Sequence, residues 1–282
     1  MLWSSREVRP LSRGDVDEAL AMCAADPVAN VYVAARIVET DLDRNRNQAF
    51  AYAPDGRIEA VCWTSANVVP TTGTPGSAEA FASRVRRHQS RFSSVFGPAE
   101  QVALLWSGLR AYWRPPIEVR PHQLLMAIGP DVPLPVTSDP RVRPASVREI
   151  EAVLPASIAM FTEEIGYPPY NESSGRVSYR NATWALLERE HVLVITENGH
   201  VIFKAEFGSV GLGACQVQGV WVAPSHRGRG IAVPAMAAVI EYARAYVAPV
   251  VSLYVNDFNE AAVATYERVG MTTVGEFMTV LI

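Results

Sequence analysis

The sequence predicts an α/β protein made of two similarly planned halves, and three observations carry that expectation. The first is a strand–loop–helix run from Gly219 to Val247. The second is an internal echo: Val8-Arg9-Pro10-Leu11-Ser12 returns 134 positions later as Val142-Arg143-Pro144-Ala145-Ser146, and Asp15-Val16-Asp17 returns as Glu149-Ile150-Glu151. The third is the stretch Gly129 to Pro140, whose four prolines are the composition of a linker. The expected division is therefore a first half over 1–130, a linker over 131–140 and a second half over 141–282. With 282 residues and 49% apolar content, the chain has material for two cores.

Each half opens with a short strand, a polar turn and an amphipathic helix. In the first, Ala49 to Tyr52 and Ile58 to Thr64 suit a hairpin around Asp55-Gly56, and helices follow over 77–90 and 98–111. Its nearest approach to a glycine loop is Ser94-Val95-Phe96-Gly97-Pro98, with one glycine, no cation and a proline suited to a first helical turn. The basic run Arg84-Val85-Arg86-Arg87-His88 suits a solvated helix face. In the second half, MFTEEIG leads into Gly166 to Gly175, a Pro- and Ser-rich connector with YPPYNESS at its centre. His191 to Thr196 and Val201 to Phe207 then flank an Asn198-Gly199 turn, and Gly211 to Gly213 turns the chain again.

Gly219-Val220-Trp221-Val222-Ala223 suits a buried strand that Pro224 ends, since proline cannot donate to a ladder. Arg227, Gly228, Arg229, Gly230, Ile231 and Ala232 follow, and an apolar helix runs on from Val233. The first amides of a helix lack intrahelical acceptors and carry the positive end of its dipole. Glycines let an anion approach them, so a pyrophosphate cradle is the chemistry this order suits. Neither the dinucleotide pattern GxGxxG nor the phosphate loop GxxxxGK[ST] fits, because residue 233 is Val and no Lys follows either glycine. Farther on, Val251 to Val255 reads as a strand and Asn259 to Val269 as a helix. Asn259 suits its N-cap and Gly270 its C-terminal glycine.

The run Arg227 to Ala232, Arg-x-x-Gly-x-Ala, resembles the cofactor motif of the GCN5-related N-acetyltransferases (GNAT). Asn259, Ala262, Tyr266, Gly270 and Met271 resemble the C-terminal signature of the same family, in order and spacing. The diagnostic part covers 192–282, and the likeness extends more weakly to about residue 141. The whole resembles tandem, two-domain actinobacterial members with a degenerate N-terminal copy. That resemblance implies an α/β (α+β) fold of two GNAT-like domains, each with a mixed, mostly antiparallel sheet flanked by helices. It also implies a splayed strand pair in the C-terminal copy.

The resemblance further implies acetyl-CoA as co-substrate and direct acetyl transfer to a primary amine of a small molecule or peptide. Backbone groups of Val220, Trp221 and Val222 would meet the pantetheine and the acetyl carbonyl. The amides of Gly228, Arg229, Gly230, Ile231, Ala232 and Val233 would meet the pyrophosphate, with Arg227 and Arg229 adding charge and Asn259 a further contact. Tyr266 matches the general acid. The base is open: Glu206 on the returning strand is the named candidate, Glu163 and Glu164 are alternatives, and Gln218 could only position water. His191, His200 and His226 suit structural or exposed roles, and Tyr167, Tyr170 and Glu172 suit either an acceptor wall or a plain connector.

A net charge of −4 and a pI near 5.8 speak against general nucleic-acid binding. Cys23, Cys62 and Cys215 suit reduced, buried thiols, and no spacing suggests a metal. The opening MLWSSREVRP lacks an apolar signal core and no apolar run is long enough for a membrane span, so a soluble, cytoplasmic protein is expected. A homodimer stays open. Two other functions remain: a non-catalytic acyl-CoA sensor and a tRNA-dependent aminoacyl transferase.

Overall fold

In a computed structural model describing residues 7–45, 47–170 and 173–282, every strand joins one twelve-stranded sheet. The first half contributes β1 (Val8–Pro10), α1 (Val16–Cys23), α2 (Pro27–Glu39), β2 (Ala49–Tyr52), β3 (Ala60–Thr64), β4 (Asn67–Pro70), α3 (Pro75–Val85), β5 (Ser94–Pro98), α4 (Ala99–Leu109) and β6 (Glu118–Ile128). The second contributes β7 (Arg143–Pro144), α5 (Ile150–Ile165), α6 (Ser173–Glu188), β8 (Val192–Glu197), β9 (His200–Gly211), β10 (Ala214–Val222), α7 (Ala232–Tyr246), β11 (Val250–Asn256), α8 (Glu260–Arg268) and β12 (Thr272–Leu281). Among the described residues, no helix is long and apolar enough to cross a membrane. The opening residues 1–6, with Asn171 and Glu172 of the connector, lie outside the described residues.

The strand order is β1-β2-β3-β4-β5-β12-β6-β11-β10-β9-β8-β7. Only β4–β5 and β10–β11 are parallel, so the sheet is mixed and mostly antiparallel. The middle of the order is an exchange. The first half's last strand, β6, pairs with β11, while the second half's last strand, β12, pairs with β5 and with β6. Met278 and Val280 of β12 sit in a core cluster with Phe81 and Leu105 of the first half. Met126 and Ile128 of β6 sit with Met236, Val251 and Leu253 of the second. Helix α2 also lies against β9 and β10, where Arg36 Nη2 donates to the Gly208 carbonyl at 3.4 Å.

The echo in the sequence becomes the same device built twice. Arg9 grips Asp15 through two hydrogen bonds of 2.7 Å, and Arg143 grips Glu149 through bonds of 2.8 and 2.9 Å. The amide of Ser12 donates to Asp15 and that of Ser146 to Glu149, each at 2.9 Å, which closes a capping box at each helix start. One residue past each strand, Leu11 N donates to Ala49 O and Ala145 N to Val192 O. The Arg9 hydrogen bonds hold the Asp15 carboxyl well below the usual range, and those of Arg143 lower Glu149 to about 2. A depressed carboxylate stabilises the fold above its unfolded pKa, near 4, and loses that contribution as pH falls toward its folded value. Both pairs meet solvent, so roughly 1 kcal/mol each is a fair scale. In acid titrations followed by circular dichroism, Asp15→Asn with Glu149→Gln is expected to lower stability at pH 6 and to show a narrowing gap to wild type as pH falls toward 2. A constant gap at both pH values would remove these carboxylates from the acid response.

The parallel pairs locate equivalent loops in the two halves. Since β4–β5 corresponds to β10–β11, the counterpart of the Arg227–Ala232 loop is the turn from Thr71 to Thr74 before α3. The expectation that placed it at Ser94–Pro98 is corrected: those residues form β5, and Ala99 opens α4. The real counterpart is closed by its own side chains. Thr74 accepts from Ser77 N, and Ser77 Oγ accepts from Thr74 N. Asn30 accepts from Thr72 N, and Gln101 donates to Gly73 O at 2.8 Å. Pro75 then has no N–H to offer.

The proline-rich stretch is strapped to the second half. Asp139 N donates to Pro234 O, Arg244 donates to Gly129 O, and Leu134 and Val136 pack on the core beside α7.

Candidate functional site

Strands β10 and β11 are hydrogen-bonded only where Ala214–Gln216 face Val250–Ser252. Beyond that, β10 stays with β9 as far as Val222 and β11 stays with β6 as far as Asn256, so the two open into a V. A bulge sharpens the opening. Gln218 faces Glu206 and Trp221 faces Lys204, which leaves Gly219 and Val220 opposite Ala205 alone. Gly219 takes φ +60°, and a Cβ there would lie 3.0 Å from Lys204 Nζ and 3.2 Å from Glu206 Oε2. Both the backbone conformation and the neighbours require glycine at this point.

At the mouth of the V, a short 3-10 turn over 224–226 leads into the glycine loop and α7. Gly228 and Gly230 are left-handed, with φ +73° and +74°. Among the described residues, no side chain or non-helical backbone group accepts from the amides of Gly228 through Val233. The α7 N-cap residue, Ile231, makes no side-chain cap. These are open donors at the positive end of a helix, in contrast with the sealed turn before α3.

The loop arginines differ. Arg227 turns back, donating from Nε to Val222 O at 3.0 Å and from Nη2 to Glu163 Oε2 at 2.5 Å. Trp221 Nε1 donates to the other oxygen of Glu163 at 3.3 Å, so one α5 carboxylate ties the strand end to the loop. Arg229 is exposed and pairs with no carboxylate among the described residues.

Opposite the loop, Asn259 caps α8 by accepting from Ala262 N at 3.3 Å. Gly270, at φ +91°, closes that helix. Tyr266 between them is buried in the second-half core. Its hydroxyl bonds no described residue, and burial, reinforced by the Glu164 charge, pushes the phenol above its ordinary pKa. It therefore holds its proton at neutral pH. Glu164 lies 3.6 Å from the buried Arg120 of β6, which also makes a two-armed pair with Glu118 and donates to the Glu164 carbonyl at 2.8 Å. Lost hydration raises the Glu164 carboxyl despite Arg120, although much of the side chain still meets solvent.

Under α5, β9 carries two charged side chains in an otherwise apolar run. Lys204 is fully buried and its Nζ lies 2.5 Å from Glu206 Oε1. Ser157 Oγ donates to the same oxygen at 3.4 Å, and Tyr179 OH donates to the Ser157 carbonyl at 3.1 Å. No described residue bonds Glu206 Oε2, the oxygen beside Gly219. Lys204, Ser157 and Tyr179 did not figure in the sequence reading. The signal was present: Lys204 and Glu206 are two apart on one strand, so they share a face.

The three histidines sit apart from this group. His226 pairs with Glu197 at 3.4 Å, His191 packs edge-on against Phe207, and His200 is exposed. Gln218 covers Gly208, while Tyr167 and Tyr170 pack around Phe161 and Tyr179. Among the described residues there is no cluster of metal-ligand type. A cavity of about 140 Å³ lined by Phe50, Arg84, His88 and Arg91 lies in the first half, and no residue of the glycine loop lines it.

An α/β sheet that splays beside an open helix N-terminus defines a fold that can seat an extended, anion-bearing ligand along one strand and a helix start. The second half carries a GNAT acetyltransferase domain: residues 157–271 match the model of the Acetyltransferase (GNAT) family. Residues 47–153 match a second model, a domain of unknown function (DUF4081). No curated protein matches the chain. Among solved structures, a GCN5-related N-acetyltransferase from Sphaerobacter thermophilus is similar at 20% identity and TM-score 0.61, over 97% of this chain and 94% of that one. A Drosophila protein from a structural genomics consortium is similar at 15% identity and TM-score 0.65, over 98% of each chain. A tandem GNAT protein from the clavulanic acid biosynthesis pathway is similar at 13% identity and TM-score 0.52, over 97% of each. At such identities the likeness is one of fold.

Proposed function

We propose that the protein is an acetyl-CoA-dependent N-acetyltransferase that moves the acetyl group directly to a primary amine of a small molecule or peptide. The observation that carries this reading is the run of open amides from Gly228 to Val233 at the mouth of the β10–β11 V. The residues present fit the cofactor. The loop amides would meet the pyrophosphate, the exposed Arg229 would add charge, and the bulged Gly219–Val222 segment would face the acyl arm. Arg227 would hold the loop in shape through Val222 and Glu163.

Transfer needs a neutral amine, a polarised carbonyl and a protonated leaving thiolate. Glu206 Oε2 would take the ammonium proton, directly or through water. The amine nitrogen then bonds the acetyl carbon as the carbon–sulfur bond breaks, Tyr266 supplies the proton to sulfur, and the second amine proton leaves the new amide through solvent and restores the phenol. The phenol arrives protonated at neutral pH, as the role requires, although burial makes it a weaker acid than a free tyrosine. With a panel of amines and a thiol-trapping assay, Tyr266→Phe is expected to keep acetyl-CoA affinity within about twofold and to lower kcat by about 10²–10⁴. An unchanged kcat would remove Tyr266 as the acid. Absence of thiol release with every amine, despite saturable binding, would favour a sensor over an enzyme.

A further inference from the structure

Lys204 has a burden without a visible return. A fully buried ammonium costs several kcal/mol of lost hydration, and a well-packed apolar side chain would serve the core at least as well. It makes one ion pair among the described residues, with Glu206 at 2.5 Å. That pair is part of an ordered set. Ser157 of α5 bonds the same Glu206 oxygen, and Tyr179 of α6 fixes Ser157 through its carbonyl. Met160 of α5 and Glu206 Oε2 both lie beside the Gly219 bulge of β10. The charged and titratable groups facing Glu206 are thus Lys204 on its own strand and Tyr179 from α6. The Tyr179 phenol is raised by burial first and by the Glu206 charge second, so it stays neutral. Two donors hold Oε1, while Oε2 is directed at the bulge where the sheet opens.

We propose that Lys204 is a positioning residue for acetyl transfer: it sets its charge against Glu206 and anchors Oε1, so that Oε2 is presented at the Gly219 bulge as the proton acceptor. The inference rests on the reading of Glu206 as the base. Removing the cation favours the protonated carboxyl, and a protonated Glu206 accepts nothing. The effect therefore belongs to the acid limb of the rate profile.

The test is kcat/KM against pH for full-length wild type, Lys204→Met, Lys204→Gln and Glu206→Gln, with acetyl-CoA affinity measured by calorimetry on each. Lys204→Met keeps length without charge, and Lys204→Gln keeps a donor for Glu206 if the methionine variant fails to fold. Either variant is expected to bind acetyl-CoA within about threefold of wild type. The acid limb should move up by at least one pH unit, a loss of about tenfold on that limb that higher pH restores. A merely structural lysine would lower the rate at every pH and leave the limb where it was, and that result overturns the proposal. Glu206→Gln separates the two ideas. If it loses rate while the Lys204 variants keep the wild-type limb, Lys204 alone has been misassigned. If it keeps the wild-type rate and profile, the base assignment fails and the role of Lys204 fails with it.

Discussion

Replacing Gly230 with glutamate is expected to weaken acetyl-CoA binding at least a hundredfold, about 2.7 kcal/mol at 25 °C. Two effects act in the same direction. Gly230 holds φ +74°, a conformation that a side chain resists, so the loop must shift. The new carboxylate would also stand among the open amides of Gly228 to Val233, where it would both cap them and repel a pyrophosphate. Gly230→Ala separates the two, since it strains the backbone and adds no charge; its loss is expected to be the smaller. Calorimetric titration of all three proteins reads the result. Equal affinity of wild type and Gly230→Glu would mean that the loop does not bind the cofactor.

The second large effect concerns the exchanged strands. Residues 1–130 and 131–282, produced as separate chains, are each expected to lack a cooperative thermal transition. The first would lose β12, and with it Met278 and Val280 from its core; the second would lose β6, and with it Met126 and Ile128. Burying each such side chain is worth on the order of 2 kcal/mol, so either fragment forgoes about 4 kcal/mol from these alone, close to the lower end of the ~5–15 kcal/mol that holds an ordinary domain together. Each also bares a strand edge, that of β5 or of β11. Circular dichroism and size-exclusion chromatography decide it. A well-folded 131–282 that binds acetyl-CoA would show that the exchange is dispensable.

What the sequence disclosed is what is local. The Arg227–Ala232 loop, the Asn259 cap, the Gly270 stop and the Asn198-Gly199 turn depend on neighbours within a few residues, and each is where its chemistry required. The 134-residue echo was legible because a capping box and its arginine are written within seven positions. Other features were hidden because they depend on distant partners. That β4 pairs with β5 in parallel, and so makes Thr71–Thr74 the equivalent loop, is settled by strands some thirty residues apart. That β6 and β12 trade places is settled by strands about 150 apart. Glu206 could be named from its strand, but not that Lys204 and Ser157 hold one of its oxygens, because Ser157 comes from another element. Nor did the sequence reveal that Arg227 faces Glu163 and not the loop amides.

The sealed turn before α3 has a numerical consequence. The two halves share a ground plan, which invites a count of two acyl carriers per polypeptide. Yet Thr74, Ser77, Asn30 and Gln101 already occupy the hydrogen-bonding positions at the first-half turn. Restoring an arginine and a second glycine there would add charge beside donors that are already spent. On the proposed reading the stoichiometry is one acetyl group per chain, and any coupling between two acetyl-CoA molecules would have to arise between polypeptides, not within one.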